Sequence, residues 1–379
     1  MTRVLIVDDS PFNRVTLERL LREAPDFEVV GSAADGVEAM ARIRDLAPDV
    51  LTLDLEMPNM DGLSLLRWVM AKNPLPVLVV TSRESNSSLF EALELGAIDF
   101  VLKPGRVSPR LKGMGHRFVE QLRQVARCRI RVGRKRIDGR RAVRAVSEIG
   151  CAKGMVPPRG VEIVVLASST GGPPALQKIL TGLPGDYPAA ILVVQHMPKG
   201  FTATFARRLD DLCALSVAEA RNGDIIEPGR VLVSPGGTQM SVTANGLTNP
   251  SVCLTPRQEG DGHVPSADRL LTSVADVYGP NCAGVVLTGM GEDGTRGLEA
   301  IHSAGGFCLA ESAESAVVFG MPGKAIASGV VDLVLPIESM APQIQLLVSN
   351  KTLGGGPVPR EPASDRSDTG FTMEGGSRE

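Results

Sequence analysis

The chain has 379 residues, 43% hydrophobic and 22% charged, with a formal net charge of -3. That length exceeds what one hydrophobic core ordinarily serves, so two domains with connecting segments are expected. The small net charge does not by itself imply nucleic-acid binding, and the 3% aromatic share points to cores built from Val, Leu, Ala and Ile.

Six cysteines, Cys128, Cys151, Cys213, Cys253, Cys282 and Cys308, lie far apart, with no C-x-x-C pair and no histidine at metal-ligand spacing. They read as buried free thiols. The N-terminus "MTRVLIVDDS" turns acidic after a short apolar run, unlike a signal peptide. No apolar stretch approaches the roughly 20 residues that span a bilayer. A soluble, reduced, cytoplasmic protein is expected.

From residue 3 to about 103 the runs "VLIV", "FEVV", "DVLTL", "PVLVV" and "DFVL" alternate with amphipathic stretches such as "FNRVTLERLLRE" and "GVEAMARIRDL". Five such βα repeats predict a parallel sheet covered on both faces, a doubly wound α/β domain. Phe118, Leu122 and Val125 have helical spacing, so a last helix is expected to run to about 127. The stretch 128–158 is arginine-rich and ends in "GCAKGMVPPRG", which reads as a basic linker. It lacks the interleaved aromatics of a base-stacking surface, which favours a solvated linker over a nucleic-acid patch.

A second domain opens at about 159. Buried-strand candidates are "VEIVVLAS", "AAILVVQ", "RVLVSP", "AGVVLTGM" and "VVDLVLP", separated by helical segments such as "FTATFARRLDDL" and "SADRLLTSVADVY". This predicts a second α/β fold with a mainly parallel sheet, over residues 159–350. Residues 351–379, rich in Gly, Pro, Ser and charge, are expected to be a disordered tail.

Asp8 and Asp9 follow "VLIV", Asp54 follows "VLTL", Thr81 follows "VLVV" and Lys103 follows "DFVL". All therefore lie at the carboxyl ends of predicted strands, the edge where open α/β sheets bind ligands. Clustered acids repel, and a hard cation that takes oxygen ligands, such as Mg²⁺, relieves this. With "VDDS", "LDLEMPNMDG", "VVTS" and "DFVLKPG" in order, residues 1 to about 105 resemble the flavodoxin-like receiver domain of response regulators, and with the last helix the domain is expected to span 1–127. The resemblance implies that Asp54 becomes an aspartyl phosphate, taking its phosphoryl group from a histidine kinase. Asp8, Asp9, Asp54 and the backbone at Glu56 would hold Mg²⁺, with Thr81, Phe100 and Lys103 as the switch residues.

In the second domain "LASSTGG", "VVQHMPKG" and "LTGMGEDG" each end a strand-like run. They place Ser169, His196 and Asp293 at the same sheet edge, where the three could act as nucleophile, base and orienting acid. Each alone has a plainer reading: a turn serine, a structural histidine, and an aspartate capping a helix that starts near Gly294. The chain order Ser, His, Asp differs from that of the α/β-hydrolases.

"SSTGGPPAL", "QHMPKGFTATFARRLD", "HVPSAD", "GVVLTGMGEDGTRGL" and "VVFGMPGKAI" together resemble the catalytic domain of the chemotaxis protein-glutamate methylesterase family, CheB. The resemblance implies hydrolysis of glutamate γ-methyl esters on chemoreceptors, with methanol release and no cofactor for that step, and deamidation of selected receptor glutamines. It also implies Thr170 and Met290 as backbone oxyanion donors, and a monomer without nucleic-acid or membrane-inserted partners. Ala167 and Ser168 stand where the family motif has Gly and Ala. Alanine lacks glycine's freedom at positive φ, so the turn has to be one that alanine tolerates. Ser168 reads as a bystander, with a hydrogen bond added to the site as the alternative, and His263 as a structural or substrate-contacting residue. Rival outputs are a DNA-binding regulator using the arginines, an adaptor with a vestigial triad, and an amidase or protease of the same chemistry.

Overall fold

A computed structural model describes residues 1–82, 86–103, 111–128, 160–244 and 249–349. The expected linker, from 129 onward, and the expected tail fall outside the described residues.

Strands β1 (Thr2–Val7), β2 (Phe27–Ala33), β3 (Val50–Leu53), β4 (Val77–Thr81) and β5 (Asp99–Leu102) form one sheet in the order β2-β1-β3-β4-β5. All its pairs are parallel. Val4 to Val7 and Val50 to Leu53 are buried without alternation, as strands covered on both faces must be. The covering helices are α1 (Pro11–Arg22), α2 (Gly36–Leu46), α3 (Gly62–Lys72), α4 (Asn86–Leu95) and α5 (Leu111–Arg127). Asp35 and Asp61 cap two of them by accepting from the amides of Glu38 and Ser64. Phe118, Leu122 and Val125 pack into a core with Val4, Ile6 and Leu78.

The second sheet contains β6 (Ile163–Ser168), β7 (Ala190–Gln195), β8 (Ser216–Glu219) and β9 (Arg230–Val233). A separate antiparallel hairpin of β10 (Thr238–Thr243) and β11 (Ser251–Pro256) follows. Then come β12 (Cys282–Val286), β13 (Phe307–Glu311) and β14 (Leu333–Leu335), which return to the sheet. Its order is β14-β13-β12-β6-β7-β9-β8, with every pair parallel. The helices are α6 (Gly172–Leu180), α7 (Thr202–Leu212), α8 (Ala267–Tyr278), α9 (Thr295–Ser303), α10 (Met321–Ala327) and α11 (Ile337–Ser349). The doubly wound α/β fold is thus present twice.

The two sheets share one hydrophobic cluster. Phe90 of α4 stacks on Phe205 of α7 with centroids 5.4 Å apart, and Phe100 of β5 lies 5.1 Å from Phe201. Arg208 pairs with Glu94 beside them. Cys128 Sγ donates to the carbonyl of Val317 at 3.3 Å. Among the described residues no helix is long and apolar enough to cross a membrane.

Candidate active sites at two sheet edges

In the first sheet the order reverses between β1 and β3, so Asp8 and Asp54 flank the crevice that such a switch point opens. The carboxylates of Asp8, Asp9 and Asp54 lie within 4.8 Å of one another, an all-oxygen set that fits a hard divalent cation. Lys103 Nζ lies 2.5 Å from Asp54 Oδ2 and 3.2 Å from Asp8 Oδ2. Burial pushes the Asp54 carboxyl up to about 6, against the opposing pull of Lys103. Asp54 Oδ1 also accepts from the Glu56 amide at 3.4 Å. Thr81 ends β4, fully buried, and its hydroxyl donates to the Ser82 carbonyl. Phe100 is turned to the other domain, against Phe201. The residues named from the strand ends therefore gather at one edge, except that Phe100 reaches the domain boundary.

In the second sheet β12, β6 and β7 are neighbours, and the chain order reverses between β6 and β12. Ser169 follows β6, His196 follows β7, and Asp293 lies in the loop after β12. His196 Nε2 is 2.8 Å from Asp293 Oδ2. His196 Nδ1 is buried and has no hydrogen-bond partner. Among the described residues no hydrogen bond joins Ser169 Oγ to His196. Such bonds commonly tighten only once substrate is bound.

Asp293 is a cap, but not of the helix beginning near Gly294. Its carboxylate accepts from Ser266 Oγ and from the amides of Ala267 and Asp268, at the start of α8. Asp268 instead takes the amides of Gly294 and Gly297 at the start of α9. Burial pushes the Asp293 carboxyl up. The bonds from His196 and the helix amides outweigh this and hold it well below the usual carboxylate range. The cap and the histidine partner are thus one group, a combination that residues about 26 apart in sequence cannot reveal.

His263 stacks on His196 with ring centroids 4.3 Å apart and planes at 2°. Burial, and then the nearby charge of His196, push its pKa down. Ser168 is not a bystander: its buried hydroxyl donates to Gln195 Oε1 at 2.7 Å, while Gln195 Nε2 donates to the carbonyl of Ser169 at 2.9 Å. The side chains next to Ser169 are thereby tied across β6 and β7. Ala167 lies inside β6, paired with Val194, so positive φ is not required there. It is required at Gly171, with φ 77°.

A cavity of about 720 Å³ is lined by Ser169, Thr170, His196, His263 and Met290 on one side and Asp99 and Phe100 on the other. Among the described residues no backbone carbonyl accepts from the amide of Thr170 or Met290. Thr170 Oγ1 donates instead to Asp99 Oδ2 at 2.6 Å.

Residues 164–344 match the CheB methylesterase family, and residues 4–111 match the response regulator receiver domain. The chain is 45% identical over 359 residues to "protein-glutamate methylesterase/protein-glutamine glutaminase 3" of Geobacter sulfurreducens, covering 90% of this chain and 96% of the relative. The chain belongs to the CheB methylesterase family. A Myxococcus xanthus member, "protein-glutamate methylesterase/protein-glutamine glutaminase 1", is 44% identical, covering 92% of this chain and 97% of the relative. The crystal structure of the Thermotoga maritima CheB methylesterase catalytic domain is 40% identical, with a TM-score of 0.48, covering 49% of this chain and 98% of that one. Within this CheB-family chain the Ser169, His196 and Asp293 cluster lies in the methylesterase match, and the Asp54 cluster lies in the receiver match.

Five of the cysteines are described, all as free thiols. Cys282 and Cys308 are buried, as expected, while Cys128, Cys213 and Cys253 are half-buried. Their side chains sit at helix ends and on the hairpin rather than in the sheet core.

Proposed function

We propose that the chain hydrolyses γ-methyl esters of glutamate on methylated chemoreceptors, deamidates selected receptor glutamines, and is switched by phosphorylation of Asp54. The observation that carries this reading is the His196–Asp293 pair at 2.8 Å beside Ser169, on three adjacent strands. Residues 1–127 act as receiver, 128–158 as basic linker, 159–350 as methylesterase and 351–379 as tail. The protein works as a monomer in the cytoplasm, with a chemotaxis histidine kinase as phosphodonor.

Ser169 Oγ attacks the ester carbonyl while His196 takes its proton. Nε2 is committed to Asp293, so Nδ1, buried and unpartnered, is the nitrogen that receives it. Asp293 stays ionised, fixes the ring and stabilises the imidazolium. The amides of Thr170 and Met290 hold the developing oxyanion, a contribution commonly worth about 3 kcal/mol per donor. The proton returns to the departing methanol. Water then repeats the cycle on the acyl-enzyme and releases the glutamate carboxylate. With a glutamine the leaving group is ammonia.

Asp8, Asp9, Asp54 and the backbone of Glu56 would hold Mg²⁺, which would neutralise charge on an incoming phosphoryl group. Lys103 and Thr81 face its oxygens. Asp99 and Phe100 close the cavity over Ser169, so rearrangement along β5 opens it.

The test is methanol release from methylated receptor membranes, with and without a small-molecule phosphodonor, beside Ser169→Ala. Stimulated release that the alanine variant abolishes is expected. No release from several receptor types, with Asp54 still phosphorylated, refutes the esterase reading and favours an adaptor.

A further inference from the structure

We propose that His302, Cys308 and Asp332 form a binding site for a thiophilic divalent cation of the Zn²⁺ type, at the sheet edge opposite Ser169. An imidazole nitrogen, a thiol sulfur and a carboxylate oxygen, one from each residue, lie within 4.8 Å of one another. They come from three different pieces of chain: the last turn of α9, the second residue of β13, and the residue just before β14. Because the strands are parallel, these positions lie at the amino-terminal edge, away from the carboxyl edge that holds the triad.

The donors are fixed by the backbone around them. Asp332 Oδ2 accepts from the Cys308 amide at 2.7 Å, which holds the carboxylate beside the sulfur. Between His302 and Cys308 the chain turns through Gly305, at φ 82°, and Gly306. A Cβ on Gly306 would lie 2.7 Å from the Cys282 carbonyl and 2.9 Å from its sulfur, so only glycine lets the turn from α9 into β13 pass this close to the start of β12. His302 is exposed and Asp332 half-buried, while Cys308 is fully buried, which gives a cation a way in from solvent to a shielded sulfur.

A soft sulfur with imidazole and carboxylate matches the mixed ligand sets that hold Zn²⁺, with water in a fourth position. An all-oxygen set such as that at Asp54 suits Mg²⁺ instead. Burial pushes the Cys308 thiol up, and the nearby Asp332 and Cys282 add to this; a backbone hydrogen bond from His302 opposes it. The thiol now donates to the Leu298 carbonyl at 3.3 Å. On binding, the metal replaces the thiol proton: a sulfur–metal bond forms, the S–H bond breaks, and one proton leaves to solvent. Affinity therefore rises with pH. The bound cation would clip the last turn of α9 to the β13–β14 margin.

The full-length protein, freed of metal by chelation, is titrated with Co²⁺ and then with Zn²⁺. One equivalent of Co²⁺ is expected to give thiolate-to-cobalt charge-transfer absorption that Zn²⁺ abolishes, and Zn²⁺ is expected to raise Tm. Co²⁺ at the Asp8, Asp9 and Asp54 carboxylates cannot produce a thiolate band, so the two sites are distinguishable. Cys308→Ser and His302→Ala are each expected to remove the band and the Tm increase, and Asp332→Asn to weaken Co²⁺ binding at least about tenfold. His302 is exposed, so His302→Ala tests the site in a chain that folds normally even where Cys308→Ser does not. Absence of the band in the unaltered protein, or its retention in either variant, overturns the proposal.

Discussion

Asp99 Oδ2, on the last receiver strand, accepts the hydroxyl proton of Thr170, the residue that follows Ser169. Burial pushes the Asp99 carboxyl up. The Thr170 hydroxyl opposes that rise, and on the premise that burial by the second domain outweighs it, the closed form holds the proton more firmly. Closure is therefore unaffected below the ordinary value of 3.8 and becomes progressively weaker as pH rises above it. Asp99→Asn removes this dependence. It can also satisfy Gln121 Oε1, a buried acceptor without a partner, since Gln121 Nε2 already lies against Asp99. Basal methanol release by the unphosphorylated variant at neutral pH is expected to fall about fivefold, equivalent to about 1 kcal/mol of tighter closure. A variant with higher basal release than the parent would show that the Asp99 charge helps closure.

As the proposed phosphoacceptor, Asp54 should show its own pH dependence. Asp54 is pushed up to about 6 by burial, so its carboxylate becomes scarce as pH falls through that value, and only the carboxylate attacks phosphorus. The initial rate of labelling by a small-molecule phosphodonor should fall with a midpoint near pH 6 at limiting Mg²⁺ and at lower pH with saturating Mg²⁺. Lys103 lowers the Asp54 value, so Lys103→Met should move the limiting-Mg²⁺ midpoint upward. A midpoint unmoved by that substitution would show that burial alone sets it.

On the proposed mechanism Asp293 both orients His196 and caps α8, whereas Ser169 has no capping role. Ser169→Ala should abolish esterase activity, by about 10³-fold or more, with Tm unchanged. Asp293→Ala should lose activity and stability together, because it strands the Ala267 and Asp268 amides and the Ser266 hydroxyl at the start of α8. Losing a buried cap of this kind costs about 2 kcal/mol or more. Thermal melting of the two variants separates the roles, and an Asp293→Ala chain as stable as the parent would rule out the capping contribution.

Much of this was legible in the sequence because buried parallel strands are unbroken apolar runs, and the chemistry lies one residue past their ends. Asp8, Asp54, Lys103, Ser169 and His196 are all of that kind. The short strand Ser216–Glu219 and the polar hairpin from Thr238 carry no such run, and Phe307–Glu311 offers only five residues behind a glycine pair. Asp99 opens β5 and Gln195 closes β7, but what each does depends on a partner far away in the chain, Thr170 for one and Ser168 for the other. Asp332 comes beside Cys308 only because β13 and β14 pair in parallel, whereas His302 reaches it through the turn at Gly305. Local spacing reports where a strand stops, but not what stands beside it.

Gly172 shows how closely the side chains that support Ser169 are packed. A Cβ there would lie 2.0 Å from Gln195 Oε1 and 2.7 Å from Ser168 Oγ, the two atoms of the bond that ties β6 to β7 under Ser169. Neither atom can yield easily, because Ser168 is fully buried and Gln195 Nε2 is held by the Ser169 carbonyl. Gly172→Ala should therefore rotate Gln195 away, break both bonds and displace the Ser169 backbone. A displacement of about 1 Å can cost on the order of 10²-fold in rate, and a broken buried pair about 1–3 kcal/mol. Ser168→Ala removes the same hydroxyl without the clash, leaving Gln195 Oε1 unpaired but in place. It should lose stability by about 1–2 kcal/mol while retaining most of kcat. Methanol-release kinetics and melting of the two variants test this pairing. If Gly172→Ala keeps the parent's kcat, Gln195 does not position the nucleophile.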